Sequence, residues 1–338
     1  RTATSSARCR SVLQLTDCSD AVHALASGSA CGKAILLGEH AVVYGQPAIA
    51  VPIVDVRAQA RVWAGSPGTG PAVYAADLAA RFTPESDDQR GTGLVLAAQA
   101  AIDAFMGQGP PLIDLEIELR SLVPMARGMG SSAATSAAIV RAIAAHAHLS
   151  LDPAVLSRLV YLAEMHYHGN PSGVDNTVVA FERPVWFTRG SAPVFMPVGV
   201  SLHLLLADTG VPSRTRDTVA QVRAWRERDA ATVDGLTAAI GALVCQAREH
   251  LDQGDLAGLG QAMSANHALL RLLGVSTPAL DTLVEAASAA GALGAKLCGG
   301  GGGGCAVVLC PSGRADAISA ALRRAGAQKL YETTIATA

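Results

Sequence analysis

From residue 28 onward, short apolar runs alternate with breaks that carry glycine and proline. Residues 34–37, 41–44 and 48–54 read as strands and turns on that pattern. Leu94, Ala98, Ala101, Ile102 and Phe105 then recur at helical spacing between Gly91 and Gly107, which predicts a helix. Next, Ile113, Leu115, Ile117 and Leu119 alternate with Asp114, Glu116 and Glu118, the mark of a strand with one buried and one wetted face. Residues 124–130 break the pattern, and Ser131 and Ser132 open an alanine-rich helix reaching about His148. Pro153 starts another helix, with Leu156, Leu159, Val160 and Ala163 on one side and Gly169 as its stop. Residues 185–187 and 202–207 predict buried strands. Helical stretches follow at 215–228, 233–251, 256–273 and 279–290, then six glycines, a strand at 306–310 and a helix from Arg314. Strands dominate early and helices late, so the expected class is α+β, with domains at 28–195 and 196–338.

Composition narrows the partners. At 338 residues the chain can build two cores, and half of its residues are apolar. Twenty-six basic residues against 28 acidic ones leave a net charge of −2, which lacks the footprint of a general nucleic-acid binder. No window holds 18 uninterrupted apolar residues, so no membrane span is expected. The seven cysteines are scattered, odd in number and without CxxC pairs, which favours a reducing cytoplasm over a disulfide framework or zinc site. Residues 1–27 show no periodicity and carry Arg1, Arg8 and Arg10 before the first acid, Asp17. They are expected to form a disordered leader.

The best chemical signal is Pro124-Met125-Ala126-Arg127-Gly128-Met129-Gly130-Ser131-Ser132-Ala133-Ala134. Its glycines let backbone approach a ligand, and its serines fall where a helix leaves N–H groups unpaired at its positive end. That is an anion site, though not the Walker pattern. An ordinary helix cap is the structural alternative. With two serines, one hydroxyl can cap while the other reaches a metal.

Three further segments stand out. Lys33, one of three lysines in the chain, precedes an apolar strand followed by Gly38, Glu39 and His40; a lysine so placed ordinarily extends to water. Glu164 falls in the last turn of its helix, where negative charge opposes the dipole, which suits a carboxylate placed to bind a cation. Asp175 lies eleven residues on, after a Pro-Ser-Gly turn. His166 and His168 beside Glu164 hint at zinc, but residues two apart do not share a helix face. The six glycines at 299–304 cost entropy and pack nothing as side chains, so close approach to a ligand is the expected reason for them.

Taken in order over about residues 28–338, these segments resemble the three motifs of the GHMP small-molecule kinases. The run from Gly32 through His40 into Ala41-Val42-Val43-Tyr44-Gly45-Gln46-Pro47-Ala48 is similar to the first motif. Residues 168–176 resemble the catalytic-aspartate segment. Asp208-Thr209-Gly210 with Thr215, and Gly294-Ala295-Lys296-Leu297 before the glycines, resemble the third. Cys31, Met129, Cys298 and Gly300 stand where the family usually has Pro, Leu, Thr and Ala, and Arg127 is unusual so near the phosphate loop.

The resemblance implies a domain like ribosomal protein S5 followed by a ferredoxin-like domain, with the site between them. It implies phosphoryl transfer from ATP to a small alcohol, with Mg2+. Asp175 would be the catalytic aspartate and Lys33 its basic partner, while Ser132 and Glu164 would hold the metal. Pro124, Arg127, Gly128, Met129, Gly130, Ser131, Ser132 and Ala133 would bind ATP. Glu39, His40, Thr209, Gly299 and Gly300 would line the substrate pocket. A non-catalytic relative would be expected to lose Lys33, Glu164 or Asp175, and all three are present.

Overall fold

The computed structural model describes residues 25–169 and 171–337. Residues 1–24, which make up most of the expected leader, lie outside the described residues. Strand β1 already begins at Ala26, so residues 26 and 27 belong to the fold rather than to a leader.

The first sheet is organised by one long strand. β1 (Ala26–Leu37) pairs antiparallel with β2 (Ala48–Ala64) along nearly its whole length. Residues 41–44, expected as strand or turn, form a short 3-10 helix between them, closed by Gly45 in the left-handed region. β3 (Ala72–Ala75) and β4 (Ala80–Phe82) are too brief to show alternation in sequence. α1 (Gln89–Phe105) leads to β5 (Leu115–Ser121), which pairs with the C-terminal half of β2. Ile113, expected on the buried face of that strand, precedes it and is 63% exposed.

α2 (Ser131–His146), α3 (Pro153–His168) and α4 (Val174–Phe181) follow, then β6 (Val185–Phe187) and β7 (Val194–Phe195). β6 pairs with the N-terminal end of β2, so one edge of that strand serves two partners. The alanines of α2 have a structural purpose. A Cβ on Gly28 of β1 would meet the Ala142 nitrogen at 2.3 Å and the Ala138 oxygen at 2.4 Å, so the helix lies on bare backbone.

β8 (Leu202–Asp208) starts the second sheet. After it come α5 (Thr215–Arg228), α6 (Ala230–Gln253), α7 (Leu256–Leu272) and α8 (Pro278–Ala289). β9 (Gly294–Cys298), β10 (Cys305–Cys310), α9 (Ala315–Arg324) and β11 (Lys329–Ile335) complete an antiparallel sheet of order β11-β8-β10-β9. By length and composition α6 is apolar enough to cross a membrane. Here Val233, Thr237, Ile240, Val244, Ala247 and Leu251 recur every three or four residues and face the protein core.

A register shift ties the sheets together. Cys31 pairs with Arg57 but Gly32 pairs with Ile53, so residues 54–56 of β2 bulge out of the ladder. Asp55 in that bulge accepts a hydrogen bond from the Thr333 hydroxyl of β11 at 2.9 Å. Cys31, Cys298, Cys305 and Cys310 are buried free thiols and Cys245 an exposed one.

Candidate active site

A cavity of about 440 Å³ opens between the two halves. Its lining includes Lys33, Glu39, His40, Arg127, Gly128, Gly130, Ser131, Ser132, Glu164, Asp175, Gly299 and Gly300, together with one face of α5.

The phosphate loop is built differently from the expected serine cap. Gly130, at φ 69°, is the N-cap of α2 and provides no side-chain cap. Ser131 and Ser132 are therefore the first helical residues, with their hydroxyls and the free N–H groups of the first turn beside the cavity. Gly130 cannot carry a side chain, because a Cβ there would lie 2.9 Å from Lys33 Cγ. Met129 and Ala133, expected to bind ATP, are fully buried in the core, and Pro124 does not line the cavity. Helical geometry turns Ala133 inward while Ser131 and Ser132 face the opening; Met129 precedes the helix and Pro124 lies in the loop before it.

Lys33 does not extend to water. It is 2% exposed, with Nζ 3.1 Å from Asp175 Oδ1 and donating to the Gly128 carbonyl at 3.0 Å. Burial, the largest single influence, depresses its pKa, but the charge and hydrogen bond of Asp175 together with the charges of Cys298 and Glu39 raise it above its ordinary value. Its backbone N–H also donates to Met129 O at 3.0 Å, so the strand fixes both ends of the lysine against the loop. Asp175 occupies the first turn of α4, where the dipole favours a carboxylate, and its side chain is 28% exposed to the cavity.

Glu164 is 1% exposed, and among the described residues its Oε1 has no hydrogen-bond partner. Burial and then the charge of Asp175 push its pKa up to about 8, against a hydrogen bond from Ser132 and the charge of Lys33. His168 Nε2 lies 3.6 Å from the other oxygen, but burial lowers the imidazole pKa, so it does not neutralise the acid. A desolvated carboxylate oxygen beside a serine hydroxyl is the oxygen-donor chemistry that a hard cation would suit.

Several expected contacts serve other purposes. Glu39 lines the cavity but is ion-paired to the fully buried Lys296, whose Nζ also donates to Leu297 O at 2.6 Å. His40, at φ 60°, donates from Nε2 to the Gly300 carbonyl at 2.9 Å, and burial lowers its pKa. Arg127 pairs with Asp208 at 2.8 Å and donates to Gly210 O, fastening the loop to the second sheet. Thr209, expected at the substrate, lies off the cavity and donates its hydroxyl to Gly304 O at 2.7 Å.

The glycine run meets mostly its own protein rather than a ligand. Gly299 and Gly300 reach the cavity, but a Cβ on Gly301 would lie 2.1 Å from Val275 O. One on Gly299 would lie 2.8 Å from Gly128 Cα, so the two glycine loops touch backbone to backbone. Sequence reasoning also left Val219, Ala220 and Arg223 of α5 unassigned. Their spacing of three and four residues was the available signal.

Residues 94–182 match the family described as GHMP kinases N terminal domain, and residues 247–328 match GHMP kinases C terminal. A mevalonate kinase of Pyrococcus horikoshii is 34% identical over 88% of this chain and 92% of its own length. One of Thermococcus sibiricus is 33% identical over 88% of this chain and 92% of its own. The crystal structure of L. major mevalonate kinase in complex with R-mevalonate superposes with a TM-score of 0.79. It is 30% identical, and the match covers 92% of this chain and 96% of that one. With these two family matches and relatives at 33–34% identity over most of its length, and with a helix N-terminus, a lysine–aspartate pair and a buried glutamate gathered at one cavity, the chain belongs to the GHMP kinases.

Proposed function

We propose that the protein transfers the terminal phosphoryl group of ATP to the primary hydroxyl of mevalonate, giving 5-phosphomevalonate and ADP for isoprenoid precursor synthesis. The observation that carries this reading is the Lys33–Asp175 pair, open to the cavity in front of α2 and beside the unpartnered Glu164. Its partners are ATP and mevalonate, with neither nucleic acid nor membrane, in the cytoplasm, and a homodimer is compatible with it.

In the reaction, Asp175 accepts the proton of the attacking hydroxyl as that oxygen bonds to the γ-phosphorus. The bond from that phosphorus to the bridging oxygen breaks, and ADP leaves. Lys33 pairs with Asp175 at 3.1 Å and brings positive charge to the transferring group. The N–H groups of the first turn of α2, with Gly128 and Gly130, receive phosphate oxygens. Ser132 and Glu164 are the residues that would hold Mg2+, which when bound supplies charge neutralisation at the β- and γ-phosphates.

A second reading, phosphorylation of phosphomevalonate, draws on Arg216 and Arg223, which stand at the cavity and could meet an added phosphate. ADP release with mevalonate, phosphomevalonate and homoserine, compared as specificity constants at one magnesium concentration, tests both. The largest constant is expected for mevalonate. A larger one for either other alcohol overturns the substrate and leaves the kinase chemistry, and no ADP with any of them points to a non-catalytic relative.

A further inference from the structure

We infer that Arg223 is the receptor for the substrate's carboxylate and sets the preference for an anionic alcohol over a neutral one. This rests on the reading of the site as a mevalonate-phosphorylating centre.

The argument is an account of positive charge around the cavity. Lys33 is committed to Asp175 and the Gly128 carbonyl. Arg127 is committed to Asp208 and Gly210 O. Lys296, behind the wall, is committed to Glu39. His40 and His168 are buried imidazoles whose charged forms are disfavoured. Arg216 donates to Tyr167 O at 3.3 Å, at the C-terminal end of α3, and its charge acts on His168.

Arg223 remains. Among the described residues it has no hydrogen-bonded or ion-paired partner, and neither Asp217 nor Glu227 on its own helix pairs with it. Arg223 is exposed, but on the side of α5 that is turned to the cavity. Arg216, Val219, Ala220 and Arg223 fall three, four and seven residues along α5, on one face, and all line the cavity. The charge of Arg223 also acts on the Tyr44 phenol, next to Val42 and Val43, which line the same cavity. The far end of a substrate whose hydroxyl reaches Asp175 thus meets an apolar wall flanked by two arginines, of which Arg216 is tethered to a backbone carbonyl and Arg223 alone has no hydrogen-bonded partner among the described residues. Glu39 does not repel an anion there, because Lys296 already neutralises it. ATP's phosphates have the α2 N-terminus instead.

The experiment compares wild type, Arg223→Gln and Arg223→Lys with mevalonate and with 3-methylpentane-1,3,5-triol, in which a second primary alcohol replaces the carboxylate. For Arg223→Gln the KM for mevalonate is expected to rise roughly ten- to hundredfold, the worth of a charge-assisted hydrogen-bond pair. The KM for ATP, the specificity constant for the triol and the melting temperature should stay at wild-type values, and Arg223→Lys should recover part of the loss. An unchanged mevalonate KM, a rise in the ATP KM instead, or equal losses on both alcohols would overturn the assignment. A wild-type protein that phosphorylates the triol but not mevalonate would instead sink the substrate reading on which it rests.

Discussion

Lys33–Asp175 and Lys296–Glu39 are both buried lysine–carboxylate pairs spanning distant parts of the chain, and they differ in what surrounds them. Lys296 is fully buried, and its ammonium is met by Glu39 and two backbone carbonyls, Ile35 O and Leu297 O. The second oxygen of Glu39 accepts from Asn266 at 3.3 Å. Lys33 is almost as deeply set, yet its partner Asp175 is 28% exposed to a cavity and shares it with the unsatisfied Glu164. The saturated pair has its ammonium and both carboxylate oxygens hydrogen-bonded within the protein and fastens β9 to the end of β1 and the turn after it. The unsaturated pair holds charge at a partly desolvated opening where, on the proposed reading, a substrate would complete it. A buried ion pair is therefore read by its remaining donors and acceptors, not by its distance.

The largest effect is expected at the open pair. Asp175→Asn should fold, since Asn is tolerated in the first turn of α4, and lose about two to four orders of magnitude in turnover. Near-wild-type single-turnover rates would remove Asp175 from the chemistry and dissolve the contrast.

Stability should divide the pairs the other way. Lys296→Met leaves Glu39 charged and buried without its partner, and should cost about 3–5 kcal/mol in urea unfolding. Adding Glu39→Gln to it should restore most of that. Lys33→Met should cost less, about 1–2 kcal/mol, because cavity water can reach Asp175, while turnover falls sharply. Equal unfolding costs for the two lysines would mean that the surroundings do not distinguish them.

The mildest effect concerns Glu164, and its sign depends on pH. Its folded pKa of about 8 lies above the ordinary 4.5, so the fold prefers the protonated form. That contribution is whole below about pH 4.5 and is lost as pH rises through about 8. Without magnesium, Glu164→Gln should therefore melt above wild type by a margin that widens over that window. With magnesium and a non-hydrolysable ATP analogue, wild type should gain more than the variant. A margin that is flat with pH would show that Glu164 ionises as freely as an exposed acid.

Much of the site was legible in the chain because its signals are local. The Gly-Met-Gly-Ser-Ser turn, the lone Lys33 before an apolar strand, and an acid set against its helix dipole at Glu164 each break a local rule, and the structure gathers them around one cavity. The long periodic helices were readable for the same reason. α4 was not, because eight residues hold too little period, and neither were β3 and β4. β9 hid because its five buried residues include a lysine whose counter-charge, Glu39, lies far away in the chain.

What the sequence alone determined was the inventory: the order of the longer elements, the glycine–serine loop before α2, and the acids and lysine that meet at the cavity. Only the tertiary structure decided which charges are free. It spent Lys296 on Glu39 and Arg127 on Asp208, moved Thr209 off the cavity, and packed most of the glycine run against its own backbone. Among the described residues it also left the guanidinium of Arg223 unpaired at the opening. The reason is physical. Helix and strand periods are set by neighbours along the chain, whereas desolvation and charge pairing are set by neighbours in space.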